Sequence, residues 1–126
     1  MQMQGSKPRT QRKWHYEKPL HTSYKDFSVH LSRELRAQVG RRSLEARVGD
    51  TVKVMRGDAK VAGKHGKVTA ILRAKRMVLV EGVTAKRMNA SERQIPLRPS
   101  NLLLTALEEK DSRRIKGKKR ETKEKK

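Results

Sequence analysis

The apolar and polar residues between positions 48 and 83 alternate in a way that predicts three short β-strands. In the first strand, residues 51–55, Val52 and Val54 alternate with polar Thr51 and Lys53 before Met55, so the valines face a core. The second strand covers residues 67–72. The third strand, residues 77–80, is apolar on both faces, which is typical of a strand that is buried on both sides or closes a small barrel.

Two more strands follow a polar connection over residues 84–94. Residues 94–97 predict an edge strand, because Pro96 cannot donate to a ladder, and residues 102–107 predict a final strand. Short strands at this spacing favour a small barrel over a sandwich. The predicted fold class is therefore mainly β, with a small SH3-like β-barrel over residues 48–107.

A loop rich in glycine and basic residues joins the first two strands, and we name it the glycine loop (residues 56–67). Glycine lets a phosphate or another backbone approach closely. The small β-scaffold would therefore present a flexible, positively charged loop at its surface.

The segment over residues 28–47 predicts one short helix followed by a linker. The apolar residues at helical spacing are Leu31, Leu35 and Val39. Ser28 suits the N-cap, and Gly40 suits the position after the last turn. Arg33 and Arg36 lie off the apolar stripe, where they can contact an anionic partner or form a merely solvated face.

Residues 1–27 predict an extended basic arm, because prolines alternate with basic residues and proline and its preceding residue favour extended backbone. Trp14, His15 and Tyr16 place rings in this arm. The rings can stack on RNA bases or sugars, or they can pack on the protein's own barrel. Residues 108–126 form a basic, charged C-terminal tail that cannot build a core.

Composition indicates an anionic partner. The chain has 126 residues, which favours one domain, and its 33 Lys and Arg against 13 Asp and Glu give a formal net charge of +20. Only 33% of the residues are hydrophobic, too few to order the whole chain around one core. The basic residues are spread along the chain, so we expect it to touch nucleic acid over much of its length.

Several kinds of site are excluded or made improbable. There is no Cys, and the four histidines show no H-x-x-x-H or H-E-x-x-H pairing, so no metal site is predicted. No carboxylate pair, P-loop or nucleophile elbow is present, so no catalytic residue, cofactor or small-molecule substrate is predicted, and the chain is not expected to be an enzyme. No apolar run could span a membrane, and no homo-oligomer is expected.

The stretch VGDTVKVMRGDAKVAGKHGKV, residues 48–68, resembles the KOW motif, with Gly66 as its diagnostic glycine. Motifs on both sides resemble those of one KOW-motif family. They are Lys7-Pro8-Arg9, Arg12-Lys13, Pro19-Leu20-His21, HLSRELR at residues 30–36, Gly40-Arg41-Arg42-Ser43, Val80-Glu81-Gly82-Val83 and Pro99-Ser100-Asn101. The family is large-subunit ribosomal protein twenty-four in its archaeal and eukaryotic form, and the archaeal form is the more similar. This chain departs from the family at Val61, where the family usually has glycine after the lysine.

The resemblance implies a cytoplasmic, structural protein of the large ribosomal subunit that binds rRNA directly. It also implies an early role in subunit assembly, a place near the exit of the nascent-chain tunnel, and neighbouring ribosomal proteins as partners. The predicted rRNA contacts are basic, ring-bearing, glycine or small polar residues. They are Lys7, Arg9, Arg12, Lys13, Trp14, His15, Tyr16, His21, Lys25, Arg33, Arg36, Arg41, Arg42, Ser43, Arg56, Gly57, Lys60, Gly63, Lys64, His65, Gly66, Lys67, Arg73, Lys75, Arg76, Arg87, Arg98, Ser100, Asn101, Arg113 and Arg114.

Two rival functions could use the same β-core. A transcription elongation module normally carries a separate α/β domain before the KOW stretch, and residues 1–47 are too polar and short for one. A DNA-compacting chromatin protein of SH3-like fold would bind duplex DNA as well as folded rRNA.

Overall fold

The computed structural model describes residues 5–108, and strands predominate among its elements. The strands are β1 (Ser28–Leu31), β2 (Ser43–Glu45), β3 (Thr51–Val54), β4 (His65–Leu72), β5 (Met77–Val80), β6 (Thr84–Lys86), β7 (Glu92–Gln94) and β8 (Leu102–Ala106). The α-helices are α1 (Pro8–Glu17), α2 (Leu20–Ser23) and α3 (Arg33–Val39), and 3₁₀ helices cover Tyr24–Phe27 and Pro99–Asn101. The predicted mainly β class is confirmed.

Six of these strands form one mixed sheet in the order β2-β1-β8-β3-β4-β5. β1 and β8 run parallel, and the other neighbouring pairs are antiparallel. Beyond β5, Val78 and Leu97 exchange two backbone hydrogen bonds of 2.8 Å, which add a single bridge to that edge. Within residues 5–108 the sheet is thus not closed into the predicted barrel.

The core forms where alternate residues of neighbouring strands converge. Val52 and Val54 of β3 are fully buried, which confirms the alternation predicted for that strand. The fully buried residues of the other strands of this sheet are Val29, Leu31, Val68, Val78, Val80, Leu102 and Leu104. On the other face of β5, Met77 and Leu79 are only half-buried, so this strand is fully covered on one face. Each fully buried Val or Leu stabilises the fold by about 1.5–3 kcal/mol.

The N-terminal segment is helical, so the extended conformation predicted for residues 1–27 is wrong where the structure describes them. α1 begins at Pro8, and proline suits a first helical turn because its missing N–H would have no partner there. The Lys18 N–H bonds to the Trp14 carbonyl at 3.0 Å, and Lys18 itself is extended ahead of Pro19. The sequence interpretation treated these prolines as signs of extended chain, whereas one of them starts the helix and the other follows its end.

The predicted helix of residues 28–40 begins later than expected. Residues 28–31 form β1, with Val29 and Leu31 buried and His30 exposed, a period of two. Ser32, not Ser28, is the N-cap of α3, and its Oγ accepts a hydrogen bond from the Leu35 N–H at 3.3 Å. Gly40 ends the helix in the left-handed conformation, as predicted.

The predicted polar connection over residues 84–94 is a separate hairpin of β6 and β7. Of the predicted edge strand over residues 94–97, Gln94 is the last residue of β7 and Leu97 forms the single bridge to Val78. β8 confirms the predicted final strand, apart from its last residue.

The glycine loop is organised by its own hydrogen bonds and by one buried side chain. The Asp58 carbonyl accepts from the N–H groups of Val61 at 2.9 Å and Ala62 at 2.8 Å, and the Gly63 N–H bonds to the Val54 carbonyl at 2.8 Å. The Val61 side chain is buried in the core cluster. The residue at which this chain departs from the family pattern therefore anchors the loop to the core.

Asp50 is a buried carboxylate at the entrance to β3. Its Oδ2 accepts from the Arg47 N–H at 2.8 Å, and its Oδ1 accepts from the Glu108 N–H at 3.1 Å. These charge-assisted bonds fix the turn before β3 to the chain that leaves β8.

Candidate nucleic-acid interface

The exposed basic residues of the described chain lie on several surfaces, two of which flank β4. The glycine loop leads into β4 and includes its first three residues, and the turn over residues 73–76 follows β4. The predicted contact residues that are exposed are Lys7, Arg9, Arg12, Lys13, His15, Tyr16, His21, Lys25, Arg33, Arg36, Arg41, Arg42, Arg56, Gly57, Lys60, Gly63, Lys64, His65, Lys67, Arg73, Lys75, Arg87, Arg98 and Ser100. The half-exposed ones are Trp14, Ser43, Gly66, Arg76 and Asn101. Arg113 and Arg114 lie outside the described residues.

One face of α1 carries three cations and a ring. Arg9, Arg12, Lys13 and Tyr16 follow the i, i+3, i+4, i+7 spacing of a single helix face. Lys13 lies 3.7 Å from the Glu17 carboxylate, a mostly exposed pair that contributes little to stability. α1 holds no buried residue, so this face is open to a partner.

Arg76 joins the N-terminal segment to the turn after β4. Its Nε lies 3.2 Å from Asp26 Oδ2, and its Nη2 donates to the His15 carbonyl. Lys18 Nζ pairs with the same Asp26 oxygen. The backbone of Arg76 is left-handed, with φ of 54°, which is unfavourable for a residue with a Cβ. These contacts hold the end of α1 against the turn.

A groove of about 820 Å³ lies between these two parts of the chain. We name it the basic groove; it is lined by His15, Tyr16, Lys18, Leu20, Ser23, Phe27, Arg73, Ala74, Lys75, Arg76, Met77 and Arg98. Five of these described lining residues are Lys or Arg and none is Asp or Glu, so the lining stays positive although Asp26 pairs with Lys18 and Arg76. Such a cleft concentrates anionic partners at its mouth.

Neighbouring groups change the pKa of one side chain of the basic groove and orient another. Partial desolvation, followed by the nearby Arg76 and Lys18 cations, lowers the pKa of His15 below its ordinary value. His15 is therefore mostly neutral at pH 7 and offers hydrogen bonds rather than charge. The Arg73 guanidinium lies 5.9 Å from the centre of the Phe27 ring, a cation–π contact that orients it.

The glycine loop presents a second positive surface. Lys60, Lys64 and Lys67 are exposed there, and Lys64 Nζ bonds to the Gly82 carbonyl at 3.4 Å. The Asn101 carbonyl accepts from the Met55 N–H at 2.8 Å, which brings the Pro99–Asn101 turn to the base of the loop. The glycines, Ser100 and Asn101 were predicted as contacts, and the structure brings them together with the basic residues here.

Other predicted contacts lie apart from these two surfaces. Arg36 is partly engaged within the protein, because its Nε donates to the Leu31 carbonyl at 2.8 Å. Ser43 is in β2, and Arg87 is in the turn between β6 and β7. Sequence reasoning missed Lys18 and Asp26 as parts of the site. Asp26 pairs with both Lys18 and Arg76, and because Arg76 is far away along the chain, no local pattern could identify this cluster.

Two further findings apply to the described residues alone. Within residues 5–108, no three metal-ligating side chains come together in a way that could hold an ion. No helix in the same range is long and apolar enough to cross a membrane.

A small, mainly β chain with this charge and these exposed cations is typical of nucleic-acid-binding proteins. The chain belongs to the ribosomal protein family that comprises the eukaryotic L26 proteins and their archaeal L24 counterparts, and the sequence model of this family matches residues 5–120.

Curated archaeal relatives agree with this membership. One is "Large ribosomal subunit protein uL24" of Methanocella arvoryzae, 45% identical over 111 residues, which are 88% of each chain. Another is the protein of the same name from Methanosarcina barkeri, 43% identical over 112 residues, which are 89% of this chain and 95% of the relative. The resemblance inferred from the sequence motifs is confirmed, together with the predictions of an archaeal-type, cytoplasmic, ribosomal protein that is not an enzyme.

Proposed function

We propose that this chain is a structural constituent of the large ribosomal subunit and binds its rRNA directly. The names of the two relatives support a place in the large subunit. The basic groove carries most weight for RNA contact, because five Lys or Arg side chains converge there on one concave surface. Lys and Arg bind phosphates, which fix position but carry little sequence information.

The arrangement of the two positive surfaces suggests recognition of RNA shape. The glycine loop and the turn of the basic groove are attached to opposite ends of β4. A rigid strand would thus set the spacing between two groups of phosphate contacts. A-form helices are recognised mainly through such spacing, since side chains cannot read their deep major groove. The other predicted contact residues, including Arg113 and Arg114, would extend this surface.

The β-core itself is proposed to be a KOW element of SH3-like type. β3 and β4 pair on either side of the glycine loop, and Gly66 stands opposite Val52 where the strands begin to pair. The core would act as the anchor, while the N-terminal segment and the charged tail add contacts.

Three further points follow from the family resemblance. By this resemblance, the protein would bind rRNA early in subunit assembly. It would lie near the exit of the nascent-chain tunnel beside other ribosomal proteins. It would act as a single copy with no homo-oligomer.

Binding of the full chain to transcribed large-subunit rRNA tests this function, with small-subunit rRNA and duplex DNA as competitors. We expect tighter binding to large-subunit rRNA, and weaker binding by the double variant Arg73→Gln/Arg98→Gln. The control Lys86→Gln/Arg93→Gln removes the same charge from the exposed β6–β7 hairpin. Equal affinity for all three nucleic acids would contradict the proposal, and preference for duplex DNA would favour a chromatin protein.

A further inference from the structure

The basic groove combines cations with apolar side chains, which sets it apart from the glycine loop. Tyr16, Leu20 and Met77 line it together with Arg73 and Arg98. The outside of an RNA duplex offers phosphates and sugars and would leave an apolar wall unfilled. A nucleotide that has left the base stack offers a phosphate and a flat apolar base at once.

We propose that the basic groove takes an unpaired nucleotide of the bound RNA. Its phosphate would contact Arg73 and Arg98, and its base would stack on Tyr16. This inference rests on the proposed function, and it specifies that the basic groove recognises an unpaired nucleotide. Single-stranded loops and bulges are recognised in this way, by stacking of splayed bases on aromatic rings.

The ring of Tyr16 is placed to receive a base. Its side chain is 83% exposed, although tyrosine is a large amphipathic residue that usually packs. The neighbouring His15 ring meets it edge to face, with centroids 5.8 Å apart and planes at 83°. Tyr16 therefore has an oriented ring that the fold itself does not cover.

Some cations of the basic groove are engaged in ion pairs within the protein, and others can contact a bound phosphate. Arg76 and Lys18 are held by Asp26, so they shape the wall. Arg73 is exposed, and its contact with the Phe27 ring orients it. Arg98 is also exposed and directly precedes the 3₁₀ helix Pro99–Asn101. Arg73 and Arg98, together with the exposed Lys75, are thus the cations available to contact a phosphate.

The size of the groove agrees with such an occupant. Sites for small organic ligands measure about 300–1,000 Å³, and this groove measures about 820 Å³. It can hold a nucleotide together with flanking phosphates, whereas a whole duplex is wider than any such pocket.

The test compares two RNA hairpins with equal numbers of phosphates, one fully paired and one with a single-nucleotide bulge, each binding to the full chain. We expect the bulged hairpin to bind more tightly, and Tyr16→Ala to weaken that binding about 5- to 150-fold, the range expected for one base–aromatic stack. Tyr16→Phe should retain the preference. Tyr24→Ala removes an exposed tyrosine that does not line the basic groove and should also retain it.

The outcomes separate this inference from the proposed function. If both hairpins bind with equal affinity, or if Tyr16→Ala keeps the preference for the bulge, the inference is wrong and rRNA binding still stands. If neither hairpin nor large-subunit rRNA binds, both are wrong. A photocrosslinking residue at position 16 should react with rRNA in native large subunits, and reaction with a protein instead would assign the groove to a neighbouring protein.

Discussion

The carbonyl oxygen of Glu81 lies 2.4 Å from the point that a Cβ on Gly66 would occupy. Val80 Cγ1 would lie 2.9 Å from the same point. Gly66 does not have the positive φ seen at Gly57 and Gly63, so its glycine is required for space rather than for backbone conformation. β4 passes so close to the end of β5 that no side chain fits between them.

Gly66→Val should therefore damage folding before it damages any single RNA contact. A clash with backbone cannot be relieved by a rotamer change, so we expect a loss of about 3 kcal/mol or more in the free energy of unfolding. Urea denaturation followed by circular dichroism measures this loss. Gly63→Ala is the control, because its surroundings are open and only left-handed strain of about 1–2 kcal/mol applies. A soluble Gly66→Val protein with an unchanged urea midpoint and unchanged rRNA affinity would refute the argument.

Asp50→Ala should destabilise the fold by about 2–5 kcal/mol, because two backbone N–H groups, those of Arg47 and Glu108, lose a charged acceptor at a buried position. Asp50→Asn keeps the shape and one acceptor oxygen, so its cost should be smaller. The exposed Asp58 provides the comparison, and Asp58→Ala should change stability by no more than about 0.5 kcal/mol. Equal thermal midpoints for the variants at the two positions would show that the buried carboxylate is not structural.

Arg76→Gly should release α1 while leaving the sheet intact. Glycine removes the left-handed strain of about 1–2 kcal/mol at this position, but it also removes the contacts to Asp26 and the His15 carbonyl. Amide hydrogen exchange should then accelerate in residues 8–17 and stay unchanged in β3 and β4. Lys75→Gly, in the same turn, should leave exchange in α1 unchanged. Unaltered exchange in both variants would mean that another contact holds the helix.

The parts of the fold that the sequence predicted well are those where a local pattern and the tertiary environment agree. β5 and β8 were predicted because uninterrupted apolar runs have few alternatives to burial. Gly40 was predicted to end a helix because a left-handed C-terminal residue is a local requirement. β1 was missed because Leu31, Leu35 and Val39 satisfied a helical period, while the buried period of two in Val29 and Leu31 is too short to compete.

The candidate site was less predictable than the fold, for a physical reason. The cations were evident from composition, but the wall of the basic groove depends on Asp26, which pairs with Lys18 nearby and with Arg76 about 50 residues further along the chain. A proline that starts α1 was also interpreted as a sign of extended chain. The position of Tyr16 relative to Arg73 depends on both features, and neither is encoded in a local motif.

Affinity for rRNA should fall steeply with salt. Released counterions give a log–log slope of about −0.7 to −0.9 per neutralised phosphate. Arg73→Gln/Arg98→Gln should therefore reduce the slope by roughly 1.4–1.8, measured by fluorescence anisotropy from low to moderate salt. The hairpin control Lys86→Gln/Arg93→Gln should leave the slope unchanged. A flat dependence in the unaltered protein would argue against phosphate contacts as the source of binding.

Sedimentation of native ribosomal subunits tests the central claim most directly. Subunits are washed in high salt and separated on a sucrose gradient, and the protein is followed by immunoblotting. A structural constituent that makes many simultaneous rRNA contacts should remain with the large subunit and be absent from the small one. Recovery of the protein in the free fraction, or bound to DNA, would contradict its assignment to the large ribosomal subunit.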